Sequence, residues 1–170
     1  VKRDLVSQYD PVLREQCTEW DFSESAEDLF NDLRDTMCAN RGLGLSAPQI
    51  GVRKRAFVLG NPEDPESVVG FFNPRVIDTL AEDVYIEEGC LSFPGMFVRV
   101  KRPRAIRVRS TSWRGETETF QFEGVTARAF LHELDHLDGV TFVQRASPIH
   151  LEKARSQMKK LNRQKRRNAK

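Results

Sequence analysis

Two of the chain's three histidines stand four residues apart, in His132-Glu133-Leu134-Asp135-His136. On a helix, residues four apart share one face, so both imidazoles can reach one cation. Glu133 follows the first of them and points to the flank of such an ion, where it can take a proton from a water instead of ligating. An ordinary solvated helix can carry the same five residues, so the pattern alone leaves both readings open. A catalytic site of the zinc type generally takes three protein ligands and keeps one position for water, so two histidines are one ligand short. Downstream, Gly139 stands where the metzincin spacing has its glycine, but Phe142 fills the slot of the third histidine. His150 and Glu152 are the ligands left on that side, and both open a basic segment where a solvated side chain is the simpler account.

Upstream, Glu87-Glu88-Gly89-Cys90-Leu91-Ser92 offers a thiolate. A lone cysteine is usually a small core residue, and Cys17 and Cys38, both in helical stretches, read as that. Cys90 differs only when set beside the histidine pair. Gly89 before it suggests a close backbone approach at a strand edge. A tetrahedron of Cys90, His132, His136 and a water would lower the water's pKa toward neutrality. A third stretch, Gly42-Leu43-Gly44-Leu45-Ser46-Ala47-Pro48-Gln49, is a small-residue loop ending in an amide. No Lys-Ser/Thr pair follows and the dinucleotide glycine spacing fails, so it is not a phosphate loop. Small residues there let a substrate backbone lie against the chain, and Gln49 can donate to a developing oxyanion. A plain Gly/Pro turn after a helix also accounts for it.

These residues need elements to position them, and the periodicity supplies an α+β order. Asp10-Pro11 starts a short helix over 11–17. Ser23 or Ser25 caps a longer one whose apolar stripe is Ala26, Leu29, Phe30, Leu33 and Met37, ended by Asn40-Arg41-Gly42 with Gly42 left-handed. Short apolar or alternating runs at 56–59, 68–72, 97–100, 105–109 and 117–122, bounded by turns such as Asn73-Pro74, predict antiparallel strands. A helix over 125–137, a brief strand over 140–143 and a final helix from Ser147-Pro148 complete the order. The last helix has its apolar stripe at Leu151, Ala154, Met158 and Leu161.

Composition sets the outer limits. At 170 residues, 39% hydrophobic and 31% charged, the chain is neither disordered nor membrane-spanning by composition, and its length suits one domain over 1–170. No apolar run approaches the roughly 20 residues needed to cross a bilayer. The first residues lack a signal-peptide core, and three unpatterned cysteines suit a reducing compartment. We therefore expect a cytoplasmic protein, or one in an organelle stroma or matrix if a transit peptide was removed. The net charge of +2 hides an asymmetry: residues 150–170 hold nine Lys or Arg against the single acid Glu152, so that segment is +8 and the body −6. The basic helix or tail over about 148–170 reads either as a solvated helix end or as a dock for nucleic acid or another polyanion.

Taken in order, Gly42–Gln49, Glu88-Gly89-Cys90-Leu91-Ser92 and His132–His136 resemble the three signature motifs of the peptide deformylase family. Tyr9–Arg14 is similar to that family's opening and Asp138–Phe142 to the turn after its metal helix. Ser46 and Phe93-Pro94-Gly95 look most like the plastid and phage-related branch. The resemblance implies antiparallel sheets packed around a central metal-binding helix, with N-terminal helices and a C-terminal helix. It implies hydrolysis of the N-formyl group from formylmethionine at the start of nascent polypeptides, releasing formate. Carried over by motif position, Cys90, His132 and His136 hold one divalent metal, natively Fe(II), with Zn, Ni or Co able to take its place. Glu133 is the general base and then the proton donor to the departing amine, while the Gln49 side chain and the Leu91 N–H steady the oxyanion. The pocket for the methionine is lined by Leu43, Gly44, Gly89, Val125, Arg128 and Ala129, with the Arg128 stem packed and its charge in solvent.

Two positions depart from the common pattern. Leu131 stands where many members carry glutamine, and Met96-Phe97 where some place an arginine. Asp135 and Glu88 read as carboxylates orienting the ligands or as surface acids. The resemblance further implies a monomer with no membrane contact, whose basic helix can touch the ribosome. The competing readings are a metalloendopeptidase, which needs a third ligand downstream, and a metal-stabilised RNA- or ribosome-binding module, in which Glu133 needs no special placement.

Overall fold

Within the stretch 93–103, buried and exposed residues alternate from Gly95 to Arg102, the period of a strand with one face on a core. In the computed structural model, which describes residues 1–169, that stretch is one of seven strands. The elements are α1 (Glu27–Ala39), β1 (Gly44–Ser46), β2 (Ala56–Leu59), β3 (Val69–Thr79), β4 (Asp83–Cys90), β5 (Phe93–Pro103), β6 (Ala105–Thr111) and β7 (Thr117–Glu123). Helices α2 (Gly124–Leu137), α3 (Phe142–Arg145) and α4 (Pro148–Asn168) follow. All named pairings are antiparallel. One sheet runs in the order β1-β2-β3-β6-β7, and β4 pairs with β5 apart from it.

The period of two in β2 shows how the layers are built. Ala56 and Val58 pack with Leu29, Phe30, Leu33 and Met37 of α1 on one face of the sheet. Phe57 and Leu59 pack with Ala127, Phe130 and Leu137 of α2 on the other. Phe57, Phe71 and Phe130 meet with ring centroids 5.0–5.3 Å apart, pairs worth about 0.5–1.5 kcal/mol each beyond their buried area. A third cluster joins Met96, Val98 and Val100 of β5 to Phe142 and to Ala154 of α4. Helix α2 thus lies centrally, against the large sheet on one side and the β4–β5 hairpin on the other.

Local chemistry corrects five expectations. The left-handed residue after α1 is Arg41 (φ 55°), not Gly42. The Arg41 and Gly42 N–H groups bond back to Cys38 O and Met37 O, closing the helix end one residue early. Gly42 is needed for room: a Cβ there would lie 2.6 Å from Leu91 Cδ1. Asn73-Pro74 does not end a strand but sits inside β3, where Asn73 (φ 48°) makes a bulge against β6 and its side chain bonds the Trp20 N–H and C=O. The 140–143 strand is absent; Thr141 and Gln144 form a capping box and the segment turns into α3. The helix over 11–17 is a single 3-10 turn, Pro11–Arg14, capped by Asp10. The N-cap of α1 is Ala26, neither Ser23 nor Ser25, and no side chain caps it; Ser25 Oγ, one residue earlier, accepts from the Glu27 N–H at 3.3 Å. No described helix is long and apolar enough to cross a membrane.

Candidate active site

Helix α2 carries His132 and His136 one turn apart on the face turned from the large sheet's core. Cys90 comes to them from the end of β4, where the register with β5 slips between Gly89 and Cys90. That irregularity lifts the chain out of the ladder and re-aims the thiol. Among the described residues, Cys90, His132 and His136 form the one group of such donors, with ligand atoms all within 4.8 Å of one another. Cys90 Sγ lies 3.4 Å from His136 Nε2. Tetrahedral bonds of ordinary Zn–S and Zn–N length would separate such atoms by about 3.6 Å, so the donor set fits a divalent ion of this size. His150 and Glu152 are not part of the group, and the His150 ring packs against Tyr85 instead.

Behind His132 stands a buried network of charge. Glu88 Oε1 bonds His132 Nδ1 at 2.9 Å, and Glu88 also takes Arg102 Nε at 2.6 Å and Nη2 at 3.0 Å. Arg102 Nη1 continues to Asp135 Oδ2 at 2.8 Å, and Arg145 caps Asp135 from α3. Burial works against the Glu88 charge, but the bonds from His132 and Arg102 outweigh it and bring its pKa down to about 2. An ionised carboxylate only accepts, so His132 Nδ1 carries the hydrogen and Nε2 is the ring nitrogen that could serve as a ligand. Burial also opposes charge on His132, yet hydrogen bonds with Cys90 and Glu88 raise it to about 10. The surroundings therefore favour positive charge at this spot. His136, fully buried, is pushed well below its usual value by burial and by the charges of His132 and Arg102.

Glu133 is 5% exposed, and its Oε2 is buried without a partner. Burial lifts its pKa to about 7, with His132 pulling the other way. A Cβ on Gly44 would come within 2.8 Å of Glu133 Oε1, so glycine there makes room for the carboxylate. Gln49 is 1% exposed, held by a capping box in which its Oε1 accepts from Ser46 N–H and Oγ–H, both at 2.9 Å. Its amide nitrogen is thereby turned outward, to Ser92 Oγ at 3.0 Å and Cys90 Sγ at 3.5 Å. A cavity of about 530 Å³ opens beside these groups. Leu43, Gly44, Gly89, Val125, Arg128 and Ala129 all line it, together with Gln49, Cys90, Leu91, His132 and Glu133.

Arg128 departs from expectation. Its guanidinium is not in solvent but buried, bonded to Glu88 and to backbone carbonyls of β4 and β5. Glu88 and Asp135 are buried, not surface acids; Glu88 bonds His132 directly, and Asp135 connects to it only through Arg102 and Glu88. Leu131 packs in the apolar cluster of the large sheet, so no polar group stands in for glutamine there. Met96 is buried, while Phe97 lies half-exposed over Gly89 at the cavity rim. Sequence reasoning missed Ser92, Arg102 and Arg145. Arg102 left a trace: it follows Met96, Val98 and Val100 at period two, on the inward face of β5.

A family model described as polypeptide deformylase matches residues 2–152. The chain belongs to that family. The peptide deformylase of Desulforudis audaxviator is 41% identical over 150 residues, 88% of this chain and 96% of the relative. The crystal structure of a peptide deformylase from Legionella pneumophila superposes with a TM-score of 0.85 at 34% identity, covering 98% of this chain and 99% of that one. The Thermotoga maritima enzyme gives a TM-score of 0.80 at 37% identity over 87% of this chain and 99% of the other. Deformylases are metal-dependent hydrolases of protein biosynthesis that remove the N-formyl group from the formylmethionine of nascent polypeptides, and this chain carries that activity. The endopeptidase reading lacks its downstream ligand among the described residues.

Proposed function

We propose that Cys90, His132 and His136 hold one divalent ion, Fe(II) natively, and that Glu133, Gln49 and the Leu91 N–H carry the deformylation around it. The observation behind this reading is the unpartnered Glu133 Oε2, buried at the wall of a cavity where three metal-type donors converge. A bound divalent ion would supply Lewis acidity for attack on an unactivated amide. Glu133 takes a proton from the attacking water as its oxygen bonds the formyl carbon. It then gives that proton to the methionine nitrogen as the C–N bond breaks and formate leaves. The Gln49 amide, fixed by Ser46, and the Leu91 N–H donate to the oxygen that becomes negative, without reorganising when charge develops.

The substrate is the formylmethionyl end of a nascent chain. Leu43, Val125 and Ala129 give the cavity apolar walls for the methionine side chain. Strand β1 ends the large sheet and β4 ends the hairpin, so two strand edges border the cavity at Gly44 and Gly89. An extended peptide can add its backbone there. Such a substrate places the enzyme where ribosomes work, in a cytoplasm or an organelle stroma or matrix. It acts as a monomer, one domain with α4 as its basic extension. Beyond Leu161 every described residue of α4 is exposed, and its cations suit the phosphate of ribosomal RNA.

The test is formate release from a formyl-Met-Ala peptide by protein prepared anaerobically with Fe(II), beside Glu133→Ala. Activity absent from the variant supports the roles given; a fully active variant refutes Glu133 as the base. Removing residues after Leu161 should leave this reaction intact and weaken ribosome co-sedimentation at low salt. Unchanged co-sedimentation would refute the ribosome contact.

A further inference from the structure

Glu88 has four lone-pair positions, and all four are taken. Arg102 grips both oxygens, and His132 Nδ1 takes the remaining site on Oε1. Arg128 Nη1 takes the remaining site on Oε2 at 2.6 Å. Arg128 and His132 are four residues apart on α2, so one helix face grips the two ends of one carboxylate. The same guanidinium donates to Val84 O and Val100 O, each at 2.8 Å, and to Ile86 O at 3.4 Å. Those carbonyls belong to the β4–β5 hairpin, which shares no strand pairing with the large sheet. Arg128 is 7% exposed and also lines the cavity.

We propose that Arg128 is a positioning residue which locks the β4–β5 hairpin to α2 and, through Glu88, sets the orientation of the His132 ring. This rests on the reading of Cys90, His132 and His136 as metal ligands. Only a planar fork with several donors can serve a carboxylate and three carbonyls at once; the lysine ammonium has three donors around one point. A cavity-lining role alone would touch substrate binding and leave the metal site as it was.

Metal-stripped full-length protein is titrated with Co(II) against a competing chelator, reading both the dissociation constant and the visible absorption band. Cys90→Ala marks the loss of the site. Arg128→Met should weaken Co(II) binding by about tenfold or more and shift the band, as loss of a group that orients a ligand does. Arg128→Lys should recover part of the affinity. Adding Arg128→Met to Glu88→Gln should cost little more than Glu88→Gln alone, because Arg128 acts through Glu88. If Arg128→Met fails to fold, Arg128→Lys carries the test through a several-fold weaker, spectrally altered site. Wild-type affinity and band in the Arg128 variants overturn the proposal, as does a double variant whose loss is the product of the two single losses. Formate release by the wild type reports separately on the catalytic reading. An active wild type with an unmoved band in the variants removes the role of Arg128 alone; a wild type that binds no Co(II) and releases no formate removes both.

Discussion

Helices α2 and α4 are both rich in charge, and the fold treats that charge in opposite ways. On α2, Arg128, His132, Glu133, Asp135 and His136 are all buried. Arg128, His132 and Asp135 are tied into short bonds with β4, β5 and α3, while Glu133 Oε2 and His136 Nδ1 have no partner. On α4 only Ala154 is buried, and the cations stand in water. The difference lies in the solvent. A charge removed from water is costly unless paired, so each one on α2 fixes the place of its partner. A charge left in water is screened within about 8 Å at physiological salt and fixes almost nothing locally. The first kind can hold a reaction geometry; the second can draw in a polyanion.

The largest effect expected on this contrast is at Glu133, the α2 acid with an unpartnered oxygen. Glu133→Ala should lower formate release by more than about 10³-fold, since both proton transfers pass through it. Its unfolding midpoint should not fall, because a buried carboxylate oxygen without a partner is removed. A loss of stability matching the loss of rate would mean that Glu133 is structural.

Next comes a partnered charge. Arg102→Met removes the arginine shared by Glu88 and Asp135, leaving their buried charges only partly paired, and should cost about 3–5 kcal/mol by urea unfolding. A cost under about 1 kcal/mol would show that the network tolerates a gap and would blur the contrast with α4. Gln49→Ala, which removes a held donor without stranding a charge, should lower kcat on the order of 10²–10³-fold. An effect confined to KM would place Gln49 in ground-state binding instead.

The smallest effect is on α4. Lys159→Glu with Lys160→Glu should move stability by less than about 0.5 kcal/mol and leave kcat unchanged. Ribosome co-sedimentation should weaken, most clearly at low salt. A large loss of stability would show that the α4 charges are as deeply built in as those of α2.

The α2 motif was legible because helical spacing is local: two histidines four apart point one way wherever the helix lies. Cys90 became readable only beside that pair and through the resemblance of its flanking residues. Arg128 was misread, since a long cationic side chain on a lining face ordinarily reaches solvent, and its acceptors come from strands about 25–45 residues earlier. Strand β4 escaped notice because its Glu87 and Glu88 broke the apolar pattern that marks a strand. Glu88 faces inward only because two arginines meet it there. The 140–143 segment was apolar enough for a strand, but the Thr141–Gln144 capping box turned it into a helix.

By itself, the sequence determined the α+β order, the donor types and their likeness to the deformylase motifs, since periodicity and spacing are properties of neighbouring residues. It also determined the charge asymmetry between the body and α4. Only the tertiary structure decided which acids pair with which arginines, how the slip between β4 and β5 aims Cys90, and that Glu133 Oε2 is left without a partner. Those outcomes depend on groups far apart in the chain being excluded from water together, and no local pattern encodes the company a buried charge will keep.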